Sequence, residues 1–430
     1  MENSASDIVT ISGISHAGKG VGRINGKVVF VEGALPDEIV RVEIIKESKK
    51  FCESKIANFI KKSINRIDND CPSYGECGGC AYRHVEYSEE VKLKTRVVKE
   101  TLAKIAGVNG DIISDCIPSA KFELYRNKMQ YHTGVSNGQK RLGFIGRSFA
   151  FLPIIDCKLA DPEITAWAKI IEKNLPNEVT RVVIRKSSPQ GKLLCLFVST
   201  IKLSFTEQQI NMMMSFPKAA ALFGNVSNAN TEDVLGDITY KIVGEDYLVE
   251  EIKGLSFAVG PTAFFQVNPY QIDNLYSEAL QFLPNVDTLL DLYCGVGTIT
   301  LCSASVVKKV FGVEINKEAI SYAKKNASLN EIANAEFYAL NAADIAKVLN
   351  KDFSAIIVDP PRAGCSKEVL DFIASKTKQI IYVSCESSTL ARDIKVLKTF
   401  GFEVASVIPI DMFPRTAHVE CVVLMSRVTS

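Results

Sequence analysis

From Thr288 to the end of the chain, short apolar runs alternate with stretches in which apolar positions recur every three or four residues. Thr288–Tyr293, Lys309–Ile315, Ala335–Leu340, Ala355–Val358 and Gln379–Ser384 read as buried parallel strands, because a strand covered on both faces loses the usual in–out alternation. Lys317–Leu329 and Ser388–Thr399 read as amphipathic helices between them. Two further β segments, Val404–Ile408 and Val419–Met425, end the sequence as a hairpin. The pattern predicts an α/β architecture, a doubly wound sheet with an antiparallel edge.

Upstream, the periodicity changes. Ile8–Ile11, Lys27–Val31 and Ile39–Ile45 are β-branched runs broken by glycines, the spacing of a small β-barrel. A basic stretch follows: Arg41 to Arg66 holds eight Lys or Arg against three Glu. The pieces His16-Ala-Gly-Lys-Gly-Val-Gly-Arg23 and Phe30-Val-Glu-Gly-Ala-Leu-Pro36 resemble the TRAM domain, an OB-like RNA-binding barrel. That resemblance implies phosphate contacts by Lys19 and Arg23; on charge alone a solvated strand surface fits equally. Residues 1–62 are taken as the barrel, 63–255 as a small α+β central domain and 256–430 as the doubly wound domain. A helix is expected at about 88–106, able to pack on the last of these.

The chain has 430 residues, 47% hydrophobic and 23% charged, which excludes disorder and allows two or three cored domains. The first seven residues lack the basic start and apolar stretch of a secretory leader, and no apolar run approaches the length of a membrane span. A cytoplasmic protein, most simply a monomer, is expected. The twelve cysteines then suit metal binding or catalysis better than disulfides. Net charge is only +1, so affinity for nucleic acid has to come from local patches.

Chemistry concentrates at the strand ends. Asp291-Leu-Tyr-Cys-Gly-Val-Gly-Thr298 sets a glycine turn between a strand and a helix, and Glu314 ends the next strand, placed to accept hydrogen bonds from ribose hydroxyls. The form D-x-x-C-G-x-G resembles class I S-adenosylmethionine-dependent methyltransferases. Asn341 follows the third strand, where it either touches adenine or caps the next helix. Asp359-Pro-Pro-Arg362 follows the fourth strand, Ser384-Cys-Glu386 the fifth, and Thr416-Ala-His-Val-Glu420 opens the last. If the last strand runs antiparallel beside the fifth, Glu420 comes near Cys385. A thiolate and carboxylates beside a methyl donor suit one chemistry: addition to carbon 6 of uracil, methylation of carbon 5, and removal of the carbon-5 proton. Arg362 contacts phosphate or substrate, or pairs with a surface acid.

Together with Phe265-Gln-Val-Asn268, these motifs resemble the RNA uracil-C5 methyltransferase family over nearly the whole chain. The resemblance implies that Gln266, Tyr293, Glu314, Asn341 and Asp359 bind the methyl donor, that Cys385 is the nucleophile and Glu420 the base, and that Phe264 packs near the target base. Cytosine-C5 methylation shares the thiolate logic but typically shows a Pro-Cys motif, and here Ser384 precedes Cys385.

Cys71-Pro-Ser-Tyr-Gly-Glu-Cys-Gly-Gly-Cys80 and Cys157 supply four thiols. Their spacing leaves zinc and an iron–sulfur cluster open. The resemblance implies a 4Fe–4S cluster held by Cys71, Cys77, Cys80 and Cys157, structural or RNA-binding because methylation needs no redox step. A TRAM-like barrel combined with that cluster is similar to bacterial enzymes acting on 23S ribosomal RNA. Enzymes of the transfer-RNA T loop are the alternative, and a non-catalytic iron–sulfur RNA-binding protein is a rival of another class.

Overall fold

The computed structural model describes residues 8–227, 235–283 and 286–427. Residues 1–7, on which the leader reading rests, lie outside them. No helix among the described residues is long and apolar enough to cross a membrane.

Six strands between Ile8 and Lys61 form the first sheet. In Lys27–Glu32 the alternation turns Val29 and Val31 inward, where they meet Val9, Val40 and Val42 in a small core. Gly22 permits this closure, since a Cβ there would collide with Val9 and the Thr10 carbonyl. The basic stretch is not a loop: Phe51–Lys61 is an eleven-residue strand that pairs with Ile39–Glu47 on one side and Lys27–Glu32 on the other. Its inward residues, Cys52 and Ser54, are small or polar, so the apolar signal of a strand is faint.

The middle sheet has seven strands, ordered Ile238–Gly244, Ala219–Val226, Leu193–Ser199, Val179–Lys186, Lys128–Ser136, Gln139–Ile145 and Phe151–Leu152. Leu193–Ser199 is buried at every position, and the helix Pro162–Glu172 packs Ile164, Trp167 and Ile171 on one face. Asp161 caps that helix through Glu163 N–H, with Pro162 at its first position.

The third sheet runs Ala335–Ala339, Lys309–Glu314, Thr288–Leu292, Ala355–Val358, Gln379–Ser384, Glu420–Arg427 and Phe402–Ile410. The first five are parallel, and Glu420–Arg427 runs antiparallel between Gln379–Ser384 and Phe402–Ile410. Helices cover both faces, so this is the doubly wound sheet expected from the pattern. One of those helices comes from far upstream. Tyr87–Ala106 packs on Ser387–Thr399, burying Val98, Leu102 and Ala106 in the same core as Leu390 and Ile394. Ile113 and Ile117 then bridge to Val407 and Ile410 at the sheet edge. The segment 63–255 therefore gives residues 87–117 to the catalytic core. At its other end the hairpin Leu248–Ile252/Leu255–Val259 crosses residue 255: Leu248 packs under the middle sheet, whereas Ile252, Phe257 and Val259 join the catalytic core.

Candidate active site

At the carboxyl edge of the third sheet, Ser384 pairs with Cys421 in the antiparallel register of the fifth and last strands. The next position on each strand is Cys385 and Glu420, which therefore leave the sheet side by side. Asp359 follows Val358, whose partner on the fifth strand is Tyr382, so the second carboxyl group joins them at the same edge. The arrangement is a consequence of sheet order and needs no special loop.

Electrostatics separates the three groups. Glu420 is 2% exposed; burial lifts its carboxyl well above the ordinary range, and Asp359 pushes it further. Burial lifts Asp359 as well. Two buried carboxyl groups whose charges repel resist being ionised together. The Cys385 thiol is half-buried and pushed up to about 12, first by burial and then by Glu420. Arg362 acts the other way, its charge favouring the thiolate. The Arg362 guanidinium lies 3.2 Å from Nε2 of His418, and burial followed by Arg362 holds that histidine below its ordinary pKa.

Gln266, Tyr293 and Asp359 line one narrow cleft together with Phe264 and Gly295. Phe264 is 67% exposed there, whereas Gln266 is buried. Tyr293 adopts φ 68°, a left-handed conformation rare outside glycine, and its N–H donates to the Val313 carbonyl at 2.9 Å. Around Gly295, at φ 54°, no atom comes within 4 Å of where a Cβ would stand, so the turn leaves open space beside its backbone. Glu314 does not line the cleft but straps the turn: its carboxylate accepts from Gly295 N–H at 3.3 Å and from Asn316 N–H at 2.9 Å. The side-chain oxygen of Asn341 accepts from Ala343 N–H at 3.0 Å, the capping geometry that was one of its two readings.

Sequence reasoning passed over Asp291 as a site residue. It is fully buried and pushed up to about 8 by that burial; Oδ2 accepts from Thr300 Oγ1 at 2.5 Å, while Oδ1 has no hydrogen-bond partner among the described residues. A buried acceptor without a partner calls for an explanation, and Asp291 itself is not among the residues that line the cleft. Its signal was present, since Asp291 opens the D-x-x-C-G-x-G motif.

The four expected cluster cysteines surround a separate cavity of about 390 Å³, with Arg83 and Arg126 also in its wall. Burial raises Cys80 to about 12, and the Cys157, Cys77 and Cys71 thiols push in the same direction. Among the described residues no group of three or more His, Cys, Asp or Glu side chains is gathered tightly enough to hold one metal ion. Lys19 and Arg23 belong to the barrel and do not line the cleft. Lys19 Nζ pairs with Glu53 at 2.8 Å, and Arg23 donates to the Gly26 carbonyl at 2.8 Å. The barrel nonetheless reaches the catalytic edge: at Gly18, φ 74°, a Cβ would stand 2.7 Å from that of Ala81 and 3.6 Å from that of Ala417.

Residues 239–428 match the family profile described as tRNA (Uracil-5-)-methyltransferase, and residues 8–57 match the TRAM domain. An uncharacterized RNA methyltransferase of Clostridium tetani is 34% identical over 97% of this chain and 95% of that protein. A Bacillus cereus protein of the same description is 34% identical over 98% and 96%. In fold, the chain matches the crystal structure of Pyrococcus abyssi tRNA (uracil-54, C5)-methyltransferase in complex with S-adenosyl-L-homocysteine, with a TM-score of 0.75, 24% identity, and coverage of 97% of this chain and 99% of that one.

Proposed function

Since the chain belongs to the RNA uracil-C5 methyltransferase family, whose members draw the methyl group from S-adenosylmethionine, we propose that it methylates carbon 5 of a uridine in 23S ribosomal RNA through a covalent bond from Cys385 to carbon 6, acting as a cytoplasmic monomer. The observation that carries the chemistry is the strand register that sets Cys385 beside Glu420, with Asp359 at the same edge.

The thiolate of Cys385 adds to carbon 6, moving an electron pair toward carbon 5 and the carbonyl oxygen at position 4. Bound S-adenosylmethionine would supply an electrophilic sulfonium methyl, which carbon 5 takes as the methyl–sulfur bond breaks and S-adenosylhomocysteine is left. Glu420 as carboxylate then removes the carbon-5 proton, the carbon 5–carbon 6 double bond re-forms, and the carbon–sulfur bond breaks to return the thiolate. Arg362 is assigned to stabilising that thiolate, because it opposes the upward push of burial on Cys385. Gln266, Tyr293 and Asp359 border the donor's cleft, while Glu314 and Asn341 serve its ribose and adenine ends. The open backbone at Gly295 fits such a ligand. Phe264, exposed at the cleft, offers a face for the flipped base.

Four soft thiols around a cavity larger than one ion suit a 4Fe–4S cluster better than zinc. Bound there, the cluster would cross-link the Cys71–Cys80 loop to Cys157. Lys19 and Arg23 would meet RNA phosphates on the barrel. The choice of ribosomal RNA rests on the barrel and the four cysteines occurring together; the match to the tRNA (Uracil-5-)-methyltransferase profile favours transfer RNA as the second reading.

The test is transfer of labelled methyl groups into RNA from a strain lacking the enzyme, with 5-methyluridine mapped in ribosomal and transfer RNA. Wild type should restore a ribosomal position and Cys385→Ala should not. Methylation confined to transfer RNA would reassign the substrate. Undiminished turnover by Cys385→Ala would remove the covalent route, and no transfer by either protein would leave the non-catalytic RNA-binding reading.

A further inference from the structure

The segment Asp411–Arg415, which leads into His418 and Glu420, has every one of its carbonyls taken by a donor from outside it. Asp411 O accepts from Gln271 Nε2 at 3.3 Å, Met412 O from Asn268 Nδ2 at 3.2 Å, and Phe413 O from Lys94 Nζ at 3.1 Å. Pro414 O accepts from Tyr125 Oη at 3.1 Å, and Arg415 O from the N–H groups of Ala81 and Tyr82 at 2.8 and 3.0 Å. A connecting segment ordinarily leaves such groups to water. This one is fixed from several regions at once, including the residues just after Cys80 and those just after Gln266.

Arg415 closes the arrangement. Only 5% exposed and at φ 69°, it is a non-glycine residue in the left-handed region, a conformation that persists where the surroundings over-determine it. Its guanidinium donates to Glu123 at 2.9 Å, to the Val85 carbonyl at 2.8 Å and to Glu90 at 3.3 Å, and its backbone N–H donates to Glu90 at 2.6 Å. Glu90 also pairs with Lys94, which reaches Asp411 at 2.7 Å; all three are fully buried. Buried charges of this kind are a poor way to gain stability, and a known use of them is to fix one conformation. Cys385 lies on a different element, between its own strand Gln379–Ser384 and the following helix Ser387–Thr399.

We propose that Arg415 is a positioning residue of the reaction, holding the Asp411–Arg415 segment in the one conformation that delivers Glu420 to the carbon-5 proton. This rests on Glu420 being the base that ends the reaction. Addition of Cys385 and methyl transfer do not use that base, so a displaced segment should slow the last step most.

The experiment uses the full chain, hypomethylated RNA from a strain lacking the enzyme, and the variant Arg415→Lys, which keeps the charge but loses the fork. Turnover should fall about 10–100-fold, as for a misplacement of about 1 Å. The KM for RNA should hold within about twofold, and denaturation-resistant protein–RNA adduct carrying the new methyl group should accumulate. Adduct formation that falls in parallel with turnover, or turnover equal to wild type, overturns the proposal. Tyr125→Phe, which removes only the bond to Pro414 O, is read by the same partition and decides the matter if Arg415→Lys does not fold. Failure of the parent reading looks different: Glu420→Gln would then also release product freely.

Discussion

Replacing Glu420 by glutamine keeps the shape of the side chain and removes its ability to take a proton. Positioned bases contribute about 10²–10⁴-fold to the step they serve, so turnover should fall by that factor. The loss should be confined to elimination. A single-turnover experiment should reach nearly one methylated RNA adduct per enzyme at a near wild-type rate. The same substitution should alter stability with a definite sign. Burial and Asp359 hold the folded-state pKa of Glu420 above its unfolded value, so wild type loses stability as pH rises from the ordinary carboxylate range toward the raised one. Glutamine does not share that loss. The variant should therefore match wild type near pH 4 and melt higher near pH 8, by about 1.4 kcal/mol for each unit of the shift. The assays are gel detection of the adduct and calorimetric melting across pH. Free turnover would remove Glu420 from the mechanism, and a variant less stable than wild type at pH 8 would refute the electrostatic account.

Asp291→Asn should weaken binding of S-adenosylhomocysteine about 3–10-fold in calorimetry, the worth of one hydrogen bond, if its unpartnered oxygen faces the donor; unchanged affinity would point that oxygen elsewhere. Gly312→Ala should destabilise by about 1–3 kcal/mol in urea unfolding, since the added Cβ would stand 2.7 Å from the Phe337 ring and 3.0 Å from Cys294 Sγ. Cys157→Ser should lose iron and visible absorbance in anaerobically prepared protein while S-adenosylhomocysteine binding persists; full iron content would exclude Cys157 as a ligand.

The catalytic sheet was legible because strands buried on both faces are unbroken apolar runs, and the five parallel strands fall within a residue or so of Thr288–Tyr293 and its successors. Reading the sequence end as a hairpin was enough to bring Cys385 and Glu420 together. Phe51–Lys61 was missed for the opposite reason: its exposed face carries lysines and its buried face holds Cys52 and Ser54, so no apolar alternation marks it. The middle sheet was legible only as mixed signals, since its strands pair across long gaps and include the parallel pair Leu193–Ser199 and Ala219–Val226. Lys94 and Glu90 were invisible as buried groups. On a helix such charges read as a solvated face, and their partners Asp411 and Arg415 lie more than 300 residues away.

That separation bears on how the molecule is made. Lys94 and Asp411 are 317 positions apart, so at about 5–20 residues per second the ammonium group leaves the ribosome roughly 15–60 s before its carboxylate partner exists. During that interval the helix Tyr87–Ala106 can set Leu93 and Val97 against Ile14 and Leu35 of the barrel, but Val98, Leu102 and the Lys94 charge, destined for a dry interior, still lack their partners. The barrel can close as it emerges; the C-terminal third supplies all seven strands of the doubly wound sheet but not the whole of its helical cover. A fragment beginning at residue 256 would lack the helix that buries Val98 and Leu102, and the donors from Lys94, Tyr125, Ala81 and Tyr82 that hold the approach to Glu420. The catalytic unit is therefore assembled from both ends of the chain, and expression of its sheet as an isolated domain should yield aggregate.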